Sequence, residues 1–176
     1  MQTRYLVLTA VGPDRPGLVS RISAMIHQSG ANLENSRMAI LGGEFALILL
    51  VSGNADAVSA VERSSRELGR QLGLEMILRE TARSREPKSY LPYGIRVTGV
   101  DRPGIVHGIS EVLARRGINV ASLESHLAYA PLSGTPMFVL EAELELPSEV
   151  AVAELRRDLT ATCEEDNLDF VLEARR

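Results

Sequence analysis

A six-residue motif, Gly-x-Asp-Arg-Pro-Gly, occurs twice and carries the groups best suited to binding a small charged molecule. It spans residues 12–17 in the first half of the chain and residues 99–104 in the second. Each copy is predicted to join a strand to a helix N-terminus, where unpaired backbone N–H groups carry partial positive charge. Such a site can bind a carboxylate or a phosphate, and glycine lets that ligand approach the backbone closely.

Two polar side chains in each copy extend this candidate site. Asp14 and Asp101 either hold a cationic group, such as an amine, or cap the helix that follows. Asn32 and Asn119 lie at the start of the next predicted strand, where an amide can donate and accept hydrogen bonds. An Asn at this place is also a common turn former. The residues themselves leave both alternatives open.

Catalytic and metal-binding patterns are missing from the sequence. His27, His107 and His126 have no metal-ligand spacing, and no H-E-x-x-H, G-x-S-x-G or P-loop string occurs. The single cysteine, Cys163, excludes a disulfide framework or a cysteine-based zinc site and favours a reducing cytoplasm. We therefore expect no catalytic residue, no metal and no cofactor, and a protein that is not an enzyme.

The charge and hydropathy of the sequence argue against two classes of binding partner, nucleic acids and membranes. The 176 residues are 45% hydrophobic and 24% charged, which is typical of a globular chain. The formal net charge of −4 opposes direct binding to nucleic acid. No apolar run reaches the roughly 18 residues of a membrane span, so no membrane partner is expected.

The chain contains an internal repeat that surrounds the motif. Between residues 12–36 and 99–123, ten of 25 positions are identical at a constant offset of 87 residues. The identical pairs are Gly12/Gly99, Asp14/Asp101, Arg15/Arg102, Pro16/Pro103, Gly17/Gly104, Val19/Val106, Ile22/Ile109, Ser23/Ser110, Gly30/Gly117 and Asn32/Asn119. Such self-similarity predicts two copies of one small domain.

Each copy has the same predicted order of elements. A β-branched run precedes the motif, apolar residues at helical spacing follow it, and Gly30 and Gly117 suit the ends of those helices. Two strands, a second helix and a closing strand complete the copy, with Asn54 and Ser148 as predicted N-caps of the second helices. The order β-α-β-β-α-β predicts an α+β protein of two ferredoxin-like domains, with antiparallel sheets and helices on one face.

The predicted domains span residues 1–82 and 93–176. Residues 83–92, which are basic and contain two prolines, are predicted to be a linker. The two middle strands align at an offset of 93 rather than 87, so the second copy has six more residues in its hairpin, within residues 130–136.

The residues described above resemble a known family. The two Asp-Arg-Pro-Gly loops, each with a helix and a Gly-x-Asn segment opening the second strand, resemble tandem ACT domains. In the second copy, the hairpin at residues 130–138, the leucine-rich second helix and the closing segment at residues 168–173 are similar to the glycine cleavage system transcriptional repressor family. The resemblance covers nearly the whole chain.

This resemblance implies a cytoplasmic, non-catalytic sensor of a small amino acid, with glycine as the expected ligand. It also implies repression through a separate DNA-binding activator of the LysR type. A ligand-binding regulatory subunit of a metabolic enzyme remains the alternative, because the residues do not separate the two partners. By analogy with ACT sites, the resemblance implies these ligand-binding positions: Gly12, Asp14, Gly17, Asn32, Gly99, Asp101, Gly104 and Asn119.

The third strand distinguishes the two copies. In the first copy both rows of the strand at residues 45–51 are apolar, and only one row can face the helices. In the second copy Glu141, Glu143 and Glu145 occupy one row, which predicts a wet face because unpaired carboxylates are not buried. We therefore expect a homodimer or an interdomain contact formed through the sheet of the first copy.

Overall fold

The chain forms two compact units, Met1–Arg85 and Glu86–Arg176. The computed structural model describes residues 3–82, 90–130 and 133–175. The first unit consists of β1 (Arg4–Pro13), α1 (Leu18–Gln28), β2 (Asn32–Leu41), β3 (Glu44–Gly53), α2 (Ala55–Leu72) and β4 (Glu75–Thr81). The second unit consists of β5 (Tyr90–Val100), α3 (Ile105–Arg115), β6 (Asn119–Tyr129), β7 (Pro136–Pro147), α4 (Val152–Glu165) and β8 (Leu168–Ala174).

Each unit contains one four-stranded antiparallel sheet. The strand orders are β2-β3-β1-β4 and β6-β7-β5-β8, and each pair of neighbouring strands is antiparallel. The β-α-β-β-α-β order and the α+β, ferredoxin-like fold predicted for both halves are therefore confirmed.

One face of each sheet packs on its two helices and forms the core. In the first unit Leu6, Leu8, Phe45 and Leu49 meet Ile22 of α1, and all five are at most 2% exposed. The corresponding core of the second unit contains Ile95, Val97, Leu140, Ile109 and Leu155. Alternate residues of each strand point to opposite faces, so the remaining row of each strand lies on the other side of the sheet.

The helix boundaries agree with most of the expected signals. Asn54 caps α2, with its side-chain oxygen accepting a hydrogen bond from the Ala57 N–H at 2.8 Å. Gly30 and Gly117 follow α1 and α3 with φ of 72° and 66°, the left-handed backbone that favours glycine.

The predicted cap at Ser148 is wrong. A turn closed by the Val150 N–H on the Pro147 carbonyl separates β7 from α4, and Ala151 takes the cap position without a side-chain bond. The Ser148 hydroxyl donates instead to the Glu149 carboxylate at 3.2 Å.

Strand β5 begins at Tyr90, inside the segment predicted to be a linker. Tyr90 and Leu91 pair with Pro147 and Leu146, and the Pro92 carbonyl accepts the Arg175 N–H at 2.8 Å. Pro92 fits because a proline is tolerated near the start of a strand. Residues 83–89 of the predicted linker and residues 131–132 of the predicted longer hairpin lie outside the described residues.

Candidate functional site

Each Asp-Arg-Pro-Gly loop ends in a glycine that starts the first helix of its domain. Gly17 and Gly104 are the N-cap residues, with φ of 93° and 102°. The helices therefore begin at Leu18 and Ile105, after the prolines rather than with them in the first turn. A Cβ at either glycine would meet no atom within 4 Å, so the left-handed backbone, and not crowding, makes glycine suitable there.

The two aspartates of the motif do not cap these helices. Neither α1 nor α3 has a side-chain cap, and the Asp14 and Asp101 side chains are exposed. Their backbone N–H groups instead bond the adjacent hairpins, Asp14 to the Gly43 carbonyl at 3.0 Å and Asp101 to the Pro136 carbonyl at 3.2 Å. Capping was one of the two roles considered above and it is wrong, because each aspartate lies three positions before the cap position at Gly17 or Gly104.

The arginines of the motif hold the loop against the end of the second helix. The Arg15 guanidinium donates to the carbonyl of Leu72, the last residue of α2. Arg102 forms an ion pair with Asp166, the residue that ends α4. A cation near a helix C-terminus is favoured by the partial negative charge of the last carbonyls. These arginines position the loop, a role that the local sequence did not indicate.

The first glycine of each motif is required by packing. A Cβ at Gly12 would lie 2.8 Å from both the Gly73 carbonyl oxygen and a Leu74 methyl group. A Cβ at Gly99 would lie 2.4 Å from a Leu168 methyl group and 3.2 Å from the Asn167 carbonyl oxygen. Gly12 and Gly99 therefore let the turn after the second helix approach the end of the first strand.

Asn32 and Asn119 lie at the opposite end of each sheet from the loops. Gly12 pairs with Phe45 and Asn32 pairs with Ser52, seven residues further along β3. At roughly 3.4 Å per residue this separation is about 24 Å. The same seven-residue separation holds on β7, where Gly99 pairs with Phe138 and Asn119 with Glu145.

The eight predicted positions thus form two groups within each domain. The aspartate and the second glycine of each motif lie just before the first helix, and the first glycine lies near the end of the preceding strand. The asparagine belongs to a separate polar cluster, in which Asn32 donates to Glu34 at 3.1 Å and Ser52 donates to the same carboxylate at 2.5 Å. In the second domain Asn119 donates to Glu145 at 2.7 Å.

Glu34, Ser52 and Glu145 were not among the predicted site residues. Ser52 and Glu145 occupy equivalent places at the 93-residue offset of the middle strands. Ser52 and Glu145 can therefore be identified from the strand pairing, which places β3 beside β2 and β7 beside β6.

The loop arrangement suits a zwitterion. The first N–H groups of α1 and α3 have no acceptor within the helix and can bind a carboxylate. Asp14 and Asp101 are exposed nearby and can accept hydrogen bonds from an ammonium group. Neither helix has an acidic residue in its first turn, so nothing in that turn opposes an anion.

The other titratable groups do not form a reactive centre in the described part of the chain. Burial, reinforced by the charge of Asp169, raises the pKa of the Cys163 thiol, which keeps it protonated and unreactive. Within residues 3–82, 90–130 and 133–175, no group of three or more His, Cys, Asp or Glu side chains is arranged to hold a metal ion. No helix in those ranges is long and apolar enough to span a membrane.

Comparison with known protein families assigns both halves of the chain to one domain type. A model of the ACT domain matches residues 4–78, and a second model of the ACT domain matches residues 93–159. Together these matches cover most of each predicted copy of the repeat and include both Asp-Arg-Pro-Gly loops.

Similar proteins extend over the full length of the chain. The glycine cleavage system transcriptional repressor of Escherichia coli (strain K12) is 29% identical over 163 residues, which are 93% of this chain and 86% of that protein. The crystal structure of an unknown protein from Galdieria sulphuraria superposes with a TM-score of 0.83 at 32% identity, covering 99% of this chain and 100% of that one. A crystal structure of a candidate glycine cleavage system transcriptional repressor superposes with a TM-score of 0.75 at 27% identity, covering 100% and 99%.

Proposed function

This chain belongs to the ACT-domain family, and from that membership we propose that it is a non-catalytic sensor of a small amino acid, with glycine as the ligand. The observation that carries the proposal is the loop geometry, in which an exposed aspartate lies beside an open helix N-terminus in both domains. The helix N–H groups bind the ligand carboxylate, and Asp14 or Asp101 binds its ammonium group.

The proposed roles of the other site residues follow from where they lie. Gly17 and Gly104 supply the left-handed backbone from which each helix N-terminus starts, and the space beside them is open. Gly12 and Gly99 act through packing and need not touch the ligand. Asn32 and Asn119, at the far end of each sheet, do not contact a ligand bound at the loop of their own domain.

We propose that the sensor represses transcription from the cytoplasm through a separate DNA-binding activator of the LysR type. The similarity over 93% of the chain to the Escherichia coli glycine cleavage system transcriptional repressor supports a role in repression. A ligand changes the partner interaction only if it binds the free and the partner-bound protein with different affinity. With a net charge of −4, the isolated protein is expected not to shift DNA at physiological salt.

Calorimetric titration with glycine, serine and the branched-chain amino acids tests the ligand. Asp14→Asn and Asp101→Asn, alone and together, should weaken glycine binding at least about 10-fold, the effect of losing one charge-assisted hydrogen bond. Asp56→Asn is the matched control, because Asp56 is also an exposed aspartate but lies at the N-terminus of a different helix, α2. Saturable binding of a nucleotide without any response to amino acids would contradict the ligand class.

Affinity capture from the native lysate, with and without glycine, tests the partner. A glycine-dependent complex with a DNA-binding activator supports repression, whereas a complex with a metabolic enzyme favours the regulatory-subunit alternative. A sequence-specific gel shift by the pure chain would contradict partner-mediated repression.

A further inference from the structure

The second domain carries an excess of acidic side chains, and much of that excess lies on one side of its sheet. Residues 93–176 contain 14 acidic and eight basic residues, whereas residues 1–82 contain eight of each. We call the side of a sheet that faces away from its helices the outer face. Among the residues that the structure describes, the outer face of the second domain carries these charged side chains: Glu124, Glu141, Glu143, Glu145, Asp169, Glu173, Arg96 and Arg175.

Strand register brings several of these carboxylates close together. From β8 to β6, one row of the outer face is Val171–Arg96–Glu141–Glu124 and the next is Glu173–Gly94–Glu143–Ser122. Glu124 lies directly opposite Glu141, and like charges in that position destabilise a pair of strands. A sheet surface selected only for stability would avoid this arrangement, which is expected instead where a surface has a function.

Two guanidinium groups of the chain itself bind on this surface. Arg96 lies 3.3 Å from Glu141, and Arg175 lies 2.5 Å from Glu143. Arg175 reaches Glu143 by crossing Gly94, where a Cβ would lie 2.6 Å from the Arg175 side chain. Gly94 thus makes room for an arginine to cross the sheet. The carboxylates of this face therefore have a geometry that accepts guanidinium groups, whose planar fork matches a carboxylate.

A cavity of about 190 Å³ lies beside Arg175 on the same face. Its lining consists of Ser122, Glu124, Glu141, Ala142, Glu143 and Arg175. At about 30 Å³ for each water molecule the cavity has room for roughly six, which is enough for the four heavy atoms of one more guanidinium group. In the described part of the chain no cation pairs with Glu124, so one wall of the cavity has an uncompensated carboxylate.

We propose that the outer face of the second domain binds a basic segment of a partner protein, with an arginine side chain of that segment in the cavity between Glu124 and Glu141. Side chains directly opposite each other on neighbouring strands have Cβ atoms about 5 Å apart, a distance that one guanidinium fork bridges. The charges of the segment and of the outer face are complementary.

The choice of partner rests on the proposed function, in which this chain acts on a DNA-binding activator. A protein that binds DNA neutralises phosphates with lysine and arginine side chains. Those side chains are the ones that the outer face accepts, with carboxylates in place of phosphates. The activator therefore cannot use the same residues for DNA and for this chain, and repression is a competition between the two.

The first domain does not offer an equivalent surface. At the 93-residue offset, Glu141 and Glu143 correspond to Ile48 and Leu50. Ile48 is 45% exposed on the outer face of the first domain and provides no charge for a basic segment. The proposed docking thus uses the second domain alone.

The first experiment measures the binding of a fluorescein-labelled oligoarginine peptide to the full-length chain by fluorescence anisotropy at about 50 mM salt. Glu124→Gln combined with Glu141→Gln should raise the Kd at least about 10-fold, because charge-assisted hydrogen bonds are lost. Glu164→Gln combined with Glu165→Gln is the matched control, since it removes the same charge from exposed residues at the end of α4. The control should change the Kd by less than about 2-fold, because distant surface charges are screened.

Melting temperatures separate a loss of binding from a loss of folding. Glu124→Gln alone should weaken peptide binding without lowering the melting temperature, because it removes one member of a like-charge pair. Equal weakening by the two double variants, or no weakening by the Glu124 and Glu141 variants, would overturn the proposal.

The second experiment separates a protein segment from a small cation. Unlabelled oligoarginine should displace the labelled peptide at a concentration near its own Kd. Free L-arginine and spermidine should need at least about 100-fold more, because neither can occupy several contacts at once. Displacement by either one at the concentration of the peptide would assign the cavity to a small molecule and overturn docking of a protein.

Glycine titration separates this proposal from the proposed function. Glu141 lies five residues along β7 from Pro136, the residue that contacts the second loop, which is about 17 Å. The Glu124 and Glu141 double variant should therefore bind glycine as the unmodified chain does. A chain that binds no amino acid but loses the peptide in that variant alone would refute the sensor and support the docking surface. A chain that binds glycine but binds the peptide equally in both double variants would refute the docking surface alone.

Discussion

The two domains have similar residues on the sheet face that packs on the helices, but different residues on the opposite face. On the inner face, Leu47 and Leu49 of β3 correspond to Leu140 and Ala142 of β7, and all four are buried. On the outer face, the side of each sheet that faces away from the helices, Ile48 corresponds to Glu141. The requirement for a packed core preserves the inner pattern in both copies, whereas the outer positions are free to change with what each face contacts.

The outer face of the second domain carries paired charges. Arg96 lies 3.3 Å from Glu141, and Arg175 lies 2.5 Å from Glu143 and crosses over Gly94. Exposed pairs of this kind contribute little to stability. Their effect is to keep this surface hydrated, in contrast to the apolar outer face of the first domain.

The largest difference we predict between the domains concerns two equivalent phenylalanines. Phe45 is 1% exposed, whereas Phe138 is only partly buried beside its core. Phe45→Ala should lower the free energy of unfolding by about 3–5 kcal/mol, and Phe138→Ala by at least about 1 kcal/mol less. Urea denaturation followed by circular dichroism measures both. Equal losses would mean that the two cores are packed alike at this position.

A smaller difference in stability is expected between alanine substitutions at the two glycines of the first motif, Gly12 and Gly17. Gly12→Ala should cost about 1–3 kcal/mol, because the added Cβ meets a backbone carbonyl oxygen that cannot rotate away. Gly17→Ala should cost about 1 kcal/mol, from backbone strain alone. Thermal melting of the two variants provides the comparison. If Gly17→Ala were the more damaging, crowding at the turn after α2 would not be the reason for Gly12.

Within each domain a side-chain contact links the two helices, and salt should weaken this contact in the second domain but not in the first. Arg116 bonds Asp158 at 2.7 Å and Glu154 at 3.0 Å, and these hydrogen bonds raise its pKa. In the first domain the two helices are linked by a hydrogen bond that the Arg21 guanidinium donates to the uncharged Gln71 side chain at 3.1 Å. Arg116→Ala should lower the urea midpoint at low salt, and the loss should shrink near 1 M salt. Arg21→Ala is the control, with a loss that salt leaves unchanged.

The smallest predicted effect is a dependence on alkaline pH that arises from Cys163 in the second domain. The pKa of Cys163 is raised in the folded chain by burial, so the unfolded chain ionises first as pH rises. The thiol's contribution to stability is complete below the pKa of the unfolded chain and is lost as pH rises through the higher pKa of the folded chain. Unfolding midpoints from pH 7 to 10, with Cys163→Ala as reference, should therefore converge as pH increases. A constant difference would show that ionisation of this thiol is not linked to folding.

The fold was predictable because its signals are local and occur twice. Apolar residues at helical spacing, the glycines after the first helices and the cap at Asn54 each act within a few residues. The loop contacts were not predictable from such signals. Arg15 bonds Leu72, 57 residues away, and that partner is known only after α2 has packed beside the loop.

The separation of the asparagine from the loop has a similar origin. Asp14 and Asn32 are close in sequence, yet α1 carries the chain back along the sheet between them. Eleven helical residues span about 16 Å, so the strand after the helix starts at the opposite end of the sheet. Proximity in a motif therefore did not mean proximity in the domain.

The two arginine contacts of the loops differ in how substitutions affect them. Arg15 binds a main-chain carbonyl, which persists whatever side chain occupies position 72 as long as α2 ends there. Arg102 depends on the side chain of Asp166, so a single substitution at that position removes its partner. A substitution at position 72 therefore leaves the contact of the first loop in place, whereas a substitution at position 166 removes the contact of the second loop.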